Sequence, residues 1–516
     1  MTLSVVWFKR DLRITDHGPL YTAASKGPVL PIYVIEDEFW QQPDTSLRQW
    51  QFIHDSLLDL NEQLNKLGQP LWVVEGEVEH VLDELYEHHG TFNLYSHQEV
   101  GNQWTNERNR RVESWCREHN INWSQTPANG VFPISDTRSS WGQQWQEYMS
   151  SAVYPTPGKI PFITMSPMRP EIWPDKLGVD STACAQRQSG GRRNGIQALG
   201  GFLKQYSQFY KQNYEDCLLA SSTCSRLGPH LTYGTVSVRE VFQQTRKAHR
   251  HYKSKGDEGW AASLMMFVSQ LLRRSHCMQL FADEPELEHR CLHPSYEGLF
   301  PLEPDKERLT AWMLGRTGYP LIDASMRTLR RQGWLNQRLR GLLISFACQN
   351  IWANWREPAL YLARMSTDYE PGVLYPEVQM QIGVTGIHPW HFEDPVALSQ
   401  KMDPDGRYIR EECPELAELE GQELYQPWLL SEAQQIMTSC QLGRDYPLPV
   451  VDSHASVQHA VHRYREHLSS QYDAELTQQI LKRHRHPTLE QNLPVLRLSG
   501  EESGQGYVEC QLSGRC

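Results

Sequence analysis

The sequence lacks the patterns that would place it in several large protein classes. Its 11 cysteines form no CxxC pair, so the cysteine spacing of zinc and iron–sulfur sites is missing. No run reaches the ~18 apolar residues needed to span a membrane. The apolar run in the opening MTLSVVWFKRDLR is also too short for a signal peptide. We therefore expect a cytoplasmic protein with reduced thiols, no metal site and no membrane contact.

A basic excess is also missing. The chain carries 50 Lys and Arg against 62 Asp and Glu, which gives a net charge of −12. Proteins that bind duplex DNA tightly usually show a basic excess or a basic face. The charge balance argues against tight nonspecific DNA binding and leaves a local basic patch open. What is present is a chain of 516 residues with 10% aromatic residues, long enough for two or three domains and a large core.

The first ~130 residues alternate strand-like and helix-like patterns. This alternation predicts a doubly wound parallel sheet with helices on both faces. The loop Lys9–Asp16 follows the first strand at the edge where such sheets bind ligands. No GxGxxG motif follows that strand, so the simpler interpretation, Asp16 as the N-cap of the next helix, is favoured. The candidate strands are Leu3–Phe8, Val29–Ile35, Leu71–Val74 and Phe92–Tyr95, and the longer candidate helices are Ser46–Lys66 and Val78–His88.

The rest of the chain divides into three parts. Residues 136–195 are rich in proline and are predicted to form an extended interdomain connector after the α/β domain at 1–135. Residues 196–485 show a helical pattern almost throughout, which predicts an all-helical domain. Residues 486–516 are polar and rich in Gly and Ser, and we expect a loose tail. The connector is marked by Pro155, Pro157, Pro161, Pro167, Pro170, Pro174, Gly190 and Gly191.

Two stretches suggest binding sites. The first, Gly315–Arg340, reads GRTGYPLIDASMRTLRRQGWLNQRLR. A Gly-rich turn leads through Pro320 into a helix that breaks at Gly333, a pattern that a core helix pair with a basic exposed face also explains. The second, Cys224–Val238, holds one Arg and several small residues before a turn and a helix. Such residues suit a phosphate group, although a capped loop between two helices is the simpler interpretation.

A third stretch, Asp368–Gly386, opens with the carboxylates Asp368 and Glu370 in a Pro- and Gly-rich turn. Together with the opening VVWFKRDLR and the later QPW and DYPLP runs, these stretches resemble the photolyase/cryptochrome family, over roughly residues 3–465. The resemblance implies a helical domain that binds FAD. In that family the N-terminal sheet domain can hold a second, antenna chromophore, and a folate, a deazaflavin, a lumazine or nothing are all open here.

The resemblance also implies roles for single residues. Asp368 would pair with Arg340 under the flavin, and Glu370 would accept hydrogen bonds from the flavin edge or ribityl chain. Cys224 and Gly228 stand where the family has hydroxyl residues, so two potential phosphate hydrogen bonds are lost. The residues implied to bind the cofactor are Tyr210, Cys224, Ser225, Arg226, Leu227, Gly228, Gln270, Arg274, Gln337, Arg340, Asp368, Glu370 and Leu374.

The sequence departs from the family at positions that serve DNA repair. Gln270 replaces the carboxylic acid that contacts the lesion, and Arg273 and Met380 replace two stacking Trp residues. Leu374 replaces the Asn that faces N5 of the flavin, and Gln337 replaces an Asn that contacts the ring or a base. The resemblance still assigns substrate contacts to Arg273, Arg274 and Met380, and catalytic roles to Trp355, Gln270 and Gln337.

The electron path to the flavin is altered as well. Of three Trp positions in the family's chain, only the middle one remains, as Trp355, while the outer and inner ones read Leu302 and Val378. Trp352 is expected on the same helix face as Trp355, at spacing i, i+3. A rerouted electron path and plain core packing are both open.

Two classes of function compete. The preferred one is an FAD-binding, blue-light-absorbing flavoprotein of photoreceptor type with a remodelled lesion site. Such a protein is expected to be a monomer and to have a signalling protein as its partner. The alternative is a DNA photolyase, a carbon–carbon lyase that repairs deoxyribodipyrimidine or another lesion by electron transfer from reduced FAD and binds damaged or single-stranded DNA. A flavin-binding structural relic is a weaker third idea. Gln270, Met380, Leu374 and the acidic charge favour the first class, and the adjacent Arg273 and Arg274 favour the second.

Overall fold

A computed structural model describes residues 2–132, 138–164 and 182–486 of the chain. Its first part is a sheet of five strands with the order β3-β2-β1-β4-β5, and all of its strand pairs are parallel. The strands are β1 Leu3–Phe8, β2 Val29–Ile35, β3 Trp72–Glu75, β4 Phe92–His97 and β5 Asn122–Thr126. The helices between them are α1 Gly18–Ala24, α2 Asp37–Trp40, α3 Leu47–Leu67, α4 Val78–His89 and α5 Gln103–Glu118.

Both faces of the sheet are covered by helices. Because side chains alternate along a strand, Val6 and Phe8 of β1 pack with α1 and α3, whereas Val5 and Trp7 pack with α4 and α5. The central strands are buried on both faces, so they read as continuous apolar runs. This arrangement confirms the predicted doubly wound α/β fold. Strand β5 escaped the sequence pattern because its sequence, NWSQT, is largely polar.

The sheet has a switch point between β1 and β4. From β1 the chain continues to β2 and β3 on one side, and it returns to build β4 and β5 on the other. The loops that follow β1 and β4 therefore leave a crevice at their carboxyl ends. Asp16, in the loop after β1, is not the N-cap of α1; His17 is, because its Nδ1 accepts the N–H of Leu20 at 3.1 Å. Asp16 instead pairs with Arg239 of the helical part.

The region predicted as an extended connector contains a helix, α6 Arg138–Ser150. Trp141 and Met149 of α6 belong to a core shared with the helical part, which is why this segment is helical. After α6 the chain has no regular secondary structure up to residue 164. Pro155, Pro157 and Pro161 lie in that irregular segment, whereas Pro167, Pro170 and Pro174 lie outside the described residues.

The helical part fills the rest of the described chain. Its longest helix, α12, packs along α11 and α17 and lies at the centre. The predicted tail lies outside the described residues except for His486. The helices are α7 Arg192–Gly201, α8 Tyr210–Asn213, α9 Ala220–Thr223, α10 Gly228–Thr232, α11 Val238–Ser254, α12 Glu258–Asp283, α13 Lys306–Leu314, α14 Pro320–Gln332, α15 Gln337–Ser345, α16 Arg356–Met365, α17 Pro371–Ile382, α18 Pro395–Met402, α19 Arg407–Glu412, α20 Gly421–Tyr425, α21 Glu432–Met437, α22 Ser453–Gln471 and α23 Ala474–His484.

Within the described ranges, no helix combines the length and the apolar character that crossing a membrane requires.

Candidate functional site

The stretch Gly315–Arg340 forms a tight turn, helix α14 and the first turn of α15. Gly318 has a φ of 82°, and a Cβ on it would lie 2.6 Å from the backbone of Leu448. Only glycine fits this left-handed and crowded position. Gly333 ends α14 with a φ of 66°. The turn and the two helix ends therefore lie where the sequence pattern predicts them.

Helix α15 carries two predicted site residues one turn apart. Asn336 caps the helix, since its side-chain oxygen accepts the N–H of Leu339 at 2.9 Å. Gln337 and Arg340 follow at positions that share a helix face. Arg340 Nη2 donates to Asp368 Oδ1 at 2.9 Å and to Oδ2 at 3.0 Å. The structure thus brings Arg340 and Asp368 into an ion pair.

A cavity lies beside this ion pair, between α15 and α17. It holds about 610 Å³ of space, part of it open to solvent. A mostly apolar cavity with a few convergent polar groups is typical of a cofactor site. Five of the residues implied to bind FAD line it, namely Gln337, Arg340, Asp368, Glu370 and Leu374. Apolar lining comes from Leu329, Ile344, Leu362, Ala363, Val373 and Val378.

Glu370 is held by two arginines from different parts of the chain. Its Oε2 accepts from Arg274 Nη2 at 3.0 Å, and Arg10 Nη1, from the loop after β1, lies 3.3 Å from its Oε1. Arg10 also donates to the carbonyl of Tyr369 at 2.6 Å. Glu370 therefore joins the sheet domain to the cavity wall, a contact that the sequence did not indicate.

The stretch Cys224–Val238, whose residues suit a phosphate group, places a poorly solvated cation near the cavity. Arg226 has a φ of 54°, and its guanidinium lies 4.1 Å above the centre of the Trp334 ring. Its Nε donates to Gln188 Oε1 at 3.2 Å, and no carboxylate of the described residues lies within ion-pair distance. Burial lowers the pKa of Arg226 to about 10. A desolvated cation without a carboxylate partner fits the pyrophosphate of FAD.

Gly228 explains one departure from the family. A Cβ on Gly228 would lie 2.5 Å from Asp368 Oδ2, so a hydroxyl residue would displace the carboxylate that holds Arg340. The neighbouring Cys224 is buried, and burial raises the pKa of its thiol to about 12, so it stays protonated. Leu227 and Tyr210 belong to the hydrophobic core next to it.

Two arginines occupy the predicted substrate positions, and both are paired. Arg273 donates from Nε and Nη2 to the two oxygens of Glu377, each at 2.8 Å. Glu377 raises the pKa of Arg273, and its Oε2 also accepts from Gln337 Nε2 at 2.8 Å. Arg274 is paired with Glu370, as described above. The adjacent arginines therefore do not offer two free cations to a phosphate.

The remaining predicted substrate and catalytic residues lie outside the cavity lining. Gln270 is half-buried on α12, one turn before Arg273 and Arg274. Met380 packs against the core of the helical part. Three of the predicted substrate and catalytic residues are not part of the cavity lining, namely Gln270, Arg273 and Met380.

Three aromatic residues form a buried chain that passes through Tyr375 of α17. Trp355 is 4% exposed, and its ring centre lies 6.5 Å from that of Tyr375, which stacks on Phe281 at 5.7 Å. The expectation that Trp352 and Trp355 share a helix face is wrong. Trp352 has a φ of 65° and lies outside any helix, because α16 begins only at Arg356.

Glu377 is the functional candidate that the sequence reasoning missed. It lies on α17, three residues after Leu374 and seven after Glu370, so the helical period places all three on one side. This helical spacing could have identified Glu377 as a site residue from the sequence. The partner arginine lies 104 residues away on α12, and sequence alone gives no indication of that contact.

A second cavity lies in the crevice at the sheet's switch point. It holds about 750 Å³ of space, part of it open to solvent, and Trp7, Glu36 and Tyr369 are among its walls. Three buried polar atoms in its lining, Lys9 Nζ, Arg10 Nε and Asp44 Oδ1, have no hydrogen-bond partner among the described residues. Lys9 Nζ has the Glu99 carboxylate 3.5 Å away as an ion-pair partner, so Arg10 Nε and Asp44 Oδ1 are the two atoms that suit a polar ligand.

One group of potential metal ligands occurs in the described part of the chain. Asp11 Oδ2 lies 2.9 Å from His17 Nε2 and 2.7 Å from His97 Nδ1. Burial and the neighbouring His17 lower the pKa of His97 to about 3, so it is neutral at pH 7. The mutual hydrogen bonds satisfy the group and anchor the loop after β1, and nearby Arg13 disfavours a cation.

Comparisons with known proteins agree with this architecture. Residues 4–150 match the family model described as DNA photolyase, and residues 267–466 match the FAD binding domain of DNA photolyase. Cryptochrome DASH of Synechocystis is 27% identical over 88% of this chain and 96% of its own. The deoxyribodipyrimidine photo-lyase of Agrobacterium fabrum is 24% identical over 89% and 97%.

A solved structure shares the fold. The class III photolyase of Agrobacterium tumefaciens superposes with a TM-score of 0.79 at 23% identity, over 91% of this chain and 98% of its own. The sheet domain and the helical domain thus both have counterparts in that structure. The chain belongs to the photolyase/cryptochrome family and is an FAD-binding flavoprotein of that family.

Proposed function

We propose that the chain is a blue-light-absorbing flavoprotein of photoreceptor type that does not repair cyclobutane pyrimidine dimers. The observation that carries this proposal is the Arg273–Glu377 ion pair. It stands where the family stacks an aromatic ring on the lesion, and it brings a carboxylate to a place that a DNA strand would have to approach. A carboxylate repels phosphates, and the pair neutralises the arginine that would attract them.

Residues of the cavity and the nearby Arg226 would hold FAD by three kinds of contact. Arg340 and Asp368 would form the polar wall next to the ring, and Arg226, outside the lining, would supply the charge for the pyrophosphate. Leu374 gives an apolar contact. The cofactor supplies light absorption and electron transfer, and the protein supplies geometry and electrostatics.

A repair assay tests the proposal. The purified protein, reduced and loaded with FAD, is mixed with single-stranded DNA that contains cyclobutane dimers and is illuminated with blue light. We expect little loss of dimers, while illumination of the oxidised protein changes its flavin absorption spectrum. Efficient loss of dimers under these conditions would contradict the proposal.

One observation favours the alternative, a DNA photolyase. The C-terminal half of α11 and the residue that caps it carry a basic face, which we define as Arg246, Lys247, Arg250, Lys253 and the capping Lys255. Lys247, Arg250 and Lys253 are exposed and have no carboxylate partner among the described residues. Burial lowers the pKa of His249, and the charges of Arg246, Lys253 and Arg250 lower it further. These three cations therefore lie close together around His249. Such a face suits the phosphates of single-stranded DNA.

We also propose that the 750 Å³ cavity at the switch point holds a second chromophore. Support comes from Arg10 Nε and Asp44 Oδ1 in its lining, which have no hydrogen-bond partner among the described residues, and from Lys9 Nζ, which has only the Glu99 carboxylate at 3.5 Å. A ring with polar substituents would satisfy them, and a folate, a deazaflavin and a lumazine all have this character. Heat-released chromophore from purified protein, separated by chromatography, should contain a second absorbing species besides FAD. Asp44→Ala should reduce that species and leave the FAD content unchanged.

A further inference from the structure

Gln337 has an amide with two chemically opposite ends, and the protein uses only one of them. Its Nε2 donates to Glu377 Oε2 at 2.8 Å. Its Oε1 has no hydrogen-bond partner in the part of the chain that the structure describes. Gln337 and Glu377 both line the 610 Å³ cavity. The carbonyl oxygen is therefore the end that remains for a ligand.

The orientation of this amide follows from its neighbours. Arg273 holds the two oxygens of Glu377 with two N–H groups, each at 2.8 Å. An arginine has only donors, and an ionised carboxylate has only acceptors. Gln337 must therefore turn its NH2 group toward Glu377. Arg273, Glu377 and Gln337 come from α12, α17 and α15, so the packing of these helices fixes which group donates and which accepts.

We propose that Arg273 and Glu377 position Gln337 so that its carbonyl oxygen faces the cavity and selects a planar heterocycle that donates a ring N–H. Arg273 and Glu377 are positioning residues, because they act through Gln337. Leu374, in the same lining, offers no hydrogen bond and cannot replace this contact. The flavin ring belongs to the selected class. The inference holds for a photoreceptor and for a repair enzyme alike, so it does not rest on the proposed function.

A single substitution should reverse the polarity of this contact. In Glu377→Gln, Arg273 still requires an acceptor and holds the new amide by its oxygen. Arg273 Nε and the Cys277 thiol both donate to the Oε1 position, which favours the amide oxygen there. The new NH2 group then takes the Oε2 position and faces Gln337, which accepts with its oxygen and turns its own NH2 toward the cavity. The cavity thus exchanges an acceptor for a donor, while the shape of the side chains changes little.

The double variant Glu377→Gln, Gln337→Glu should restore the original polarity. The new carboxylate at position 337 accepts from the amide at position 377 with one oxygen and keeps another oxygen for the cavity. The net charge of the pair equals that of the original protein. Gln337→Leu provides a further comparison, because it removes the acceptor without adding a donor or disturbing the Arg273–Glu377 pair.

The midpoint potential of bound FAD shows whether residue 337 offers the cavity a hydrogen-bond acceptor or a donor. Reduction adds N–H groups to a flavin ring, so an acceptor in the cavity favours the reduced form. We expect Glu377→Gln to lower the two-electron potential by about 30 mV, which is about tenfold in the reduction equilibrium. Gln337→Leu should give a smaller decrease, and the double variant should return to the original value. Loss of a negative charge alone would raise the potential, so the sign separates the two effects.

The measurement is a spectroelectrochemical titration of protein loaded with FAD, with circular dichroism and the FAD-to-protein ratio as controls of folding. Glu393→Gln breaks a comparable pair with Arg338, outside the cavity, and should not lower the potential. An unchanged or raised potential in Glu377→Gln overturns the inference, and a double variant that returns toward the original value supports it. If Glu377→Gln does not retain FAD, the decision rests on Gln337→Leu, for which an unchanged potential overturns the inference and a lower one supports it.

Discussion

At the scale of the residue, the Arg340–Asp368 pair is the contact most directly tied to the cofactor. In Asp368→Ala, Arg340 loses its carboxylate beside a poorly solvated cavity. A hydrogen bond to a charged group is worth about 1.5–3 kcal/mol, so we expect affinity for FAD to fall about 10- to 100-fold. Titration of FAD into protein stripped of flavin measures this. Glu415→Ala removes the partner of Arg327 outside the cavity and serves as the control. Unchanged flavin affinity in Asp368→Ala would count against the pairing.

Gly228 sets the position of the same carboxylate. In Gly228→Ser the new Cβ would stand 2.5 Å from Asp368 Oδ2, so one of the two side chains must move. Overpacking of this kind costs about 1–3 kcal/mol, and we expect a lower thermal midpoint together with weaker FAD binding. Gly158→Ser is the matched control, because a Cβ there meets nothing within 4 Å. If Gly228→Ser has the same stability and flavin affinity as the control, the Asp368 side chain can move away from the new Cβ without an energetic cost.

At the scale of the element, the basic face of helix α11 is the feature that separates the two functions. If single-stranded DNA binds there, reversing Lys247, Arg250 and Lys253 to Glu should weaken binding and reduce the salt slope by about 2. Fluorescence anisotropy with a labelled strand at several salt concentrations measures both. Reversal of Lys66, Arg117 and Arg290 makes the same change in net charge at exposed positions away from α11. Equal effects of the two triple variants would exclude a specific role for α11.

Local patterns identified most elements and part of the site. Strands β1 and β2 match their predicted bounds because their buried faces read as apolar runs, and the turn at Gly318 follows from glycine chemistry. Helix α6 was missed because its packing, not a strong pattern, makes it helical. The ion pairs of Glu377 and Arg10 were missed because their partners lie 104 and 360 residues away. Contacts at such separations depend on the assembled fold and leave no local signal.

At the scale of the whole molecule, a buried ion pair joins the loop after β1 to the start of α11. Asp16 is 2% exposed and accepts from Arg239 Nε at 3.1 Å and from the hydroxyl of Ser237. Burial alone would raise the pKa of Asp16, but the hydrogen bond from Arg239 and the charge of Arg13 hold it below its usual value. The ionised carboxylate is therefore the form that the folded protein prefers, and it ties the sheet domain to the helical domain.

This pair predicts a pH-dependent stability. Because the pKa of Asp16 is lower in the folded than in the unfolded chain, its contribution is complete above the unfolded value, about 3.9, and is lost as the pH falls through the folded value. Asp16→Asn leaves Arg239 without a charged partner, so we expect a loss of about 3–5 kcal/mol at pH 7. Below about pH 3.9 the unfolded chain takes up a proton at Asp16 more readily than the folded chain does, so the difference should shrink as the pH falls further. Thermal unfolding of both proteins from pH 7 to pH 3 measures this, with Asp445→Asn, an exposed surface pair, as the control. A difference that stays constant with pH would mean that the charge of Asp16 does not hold the two domains together.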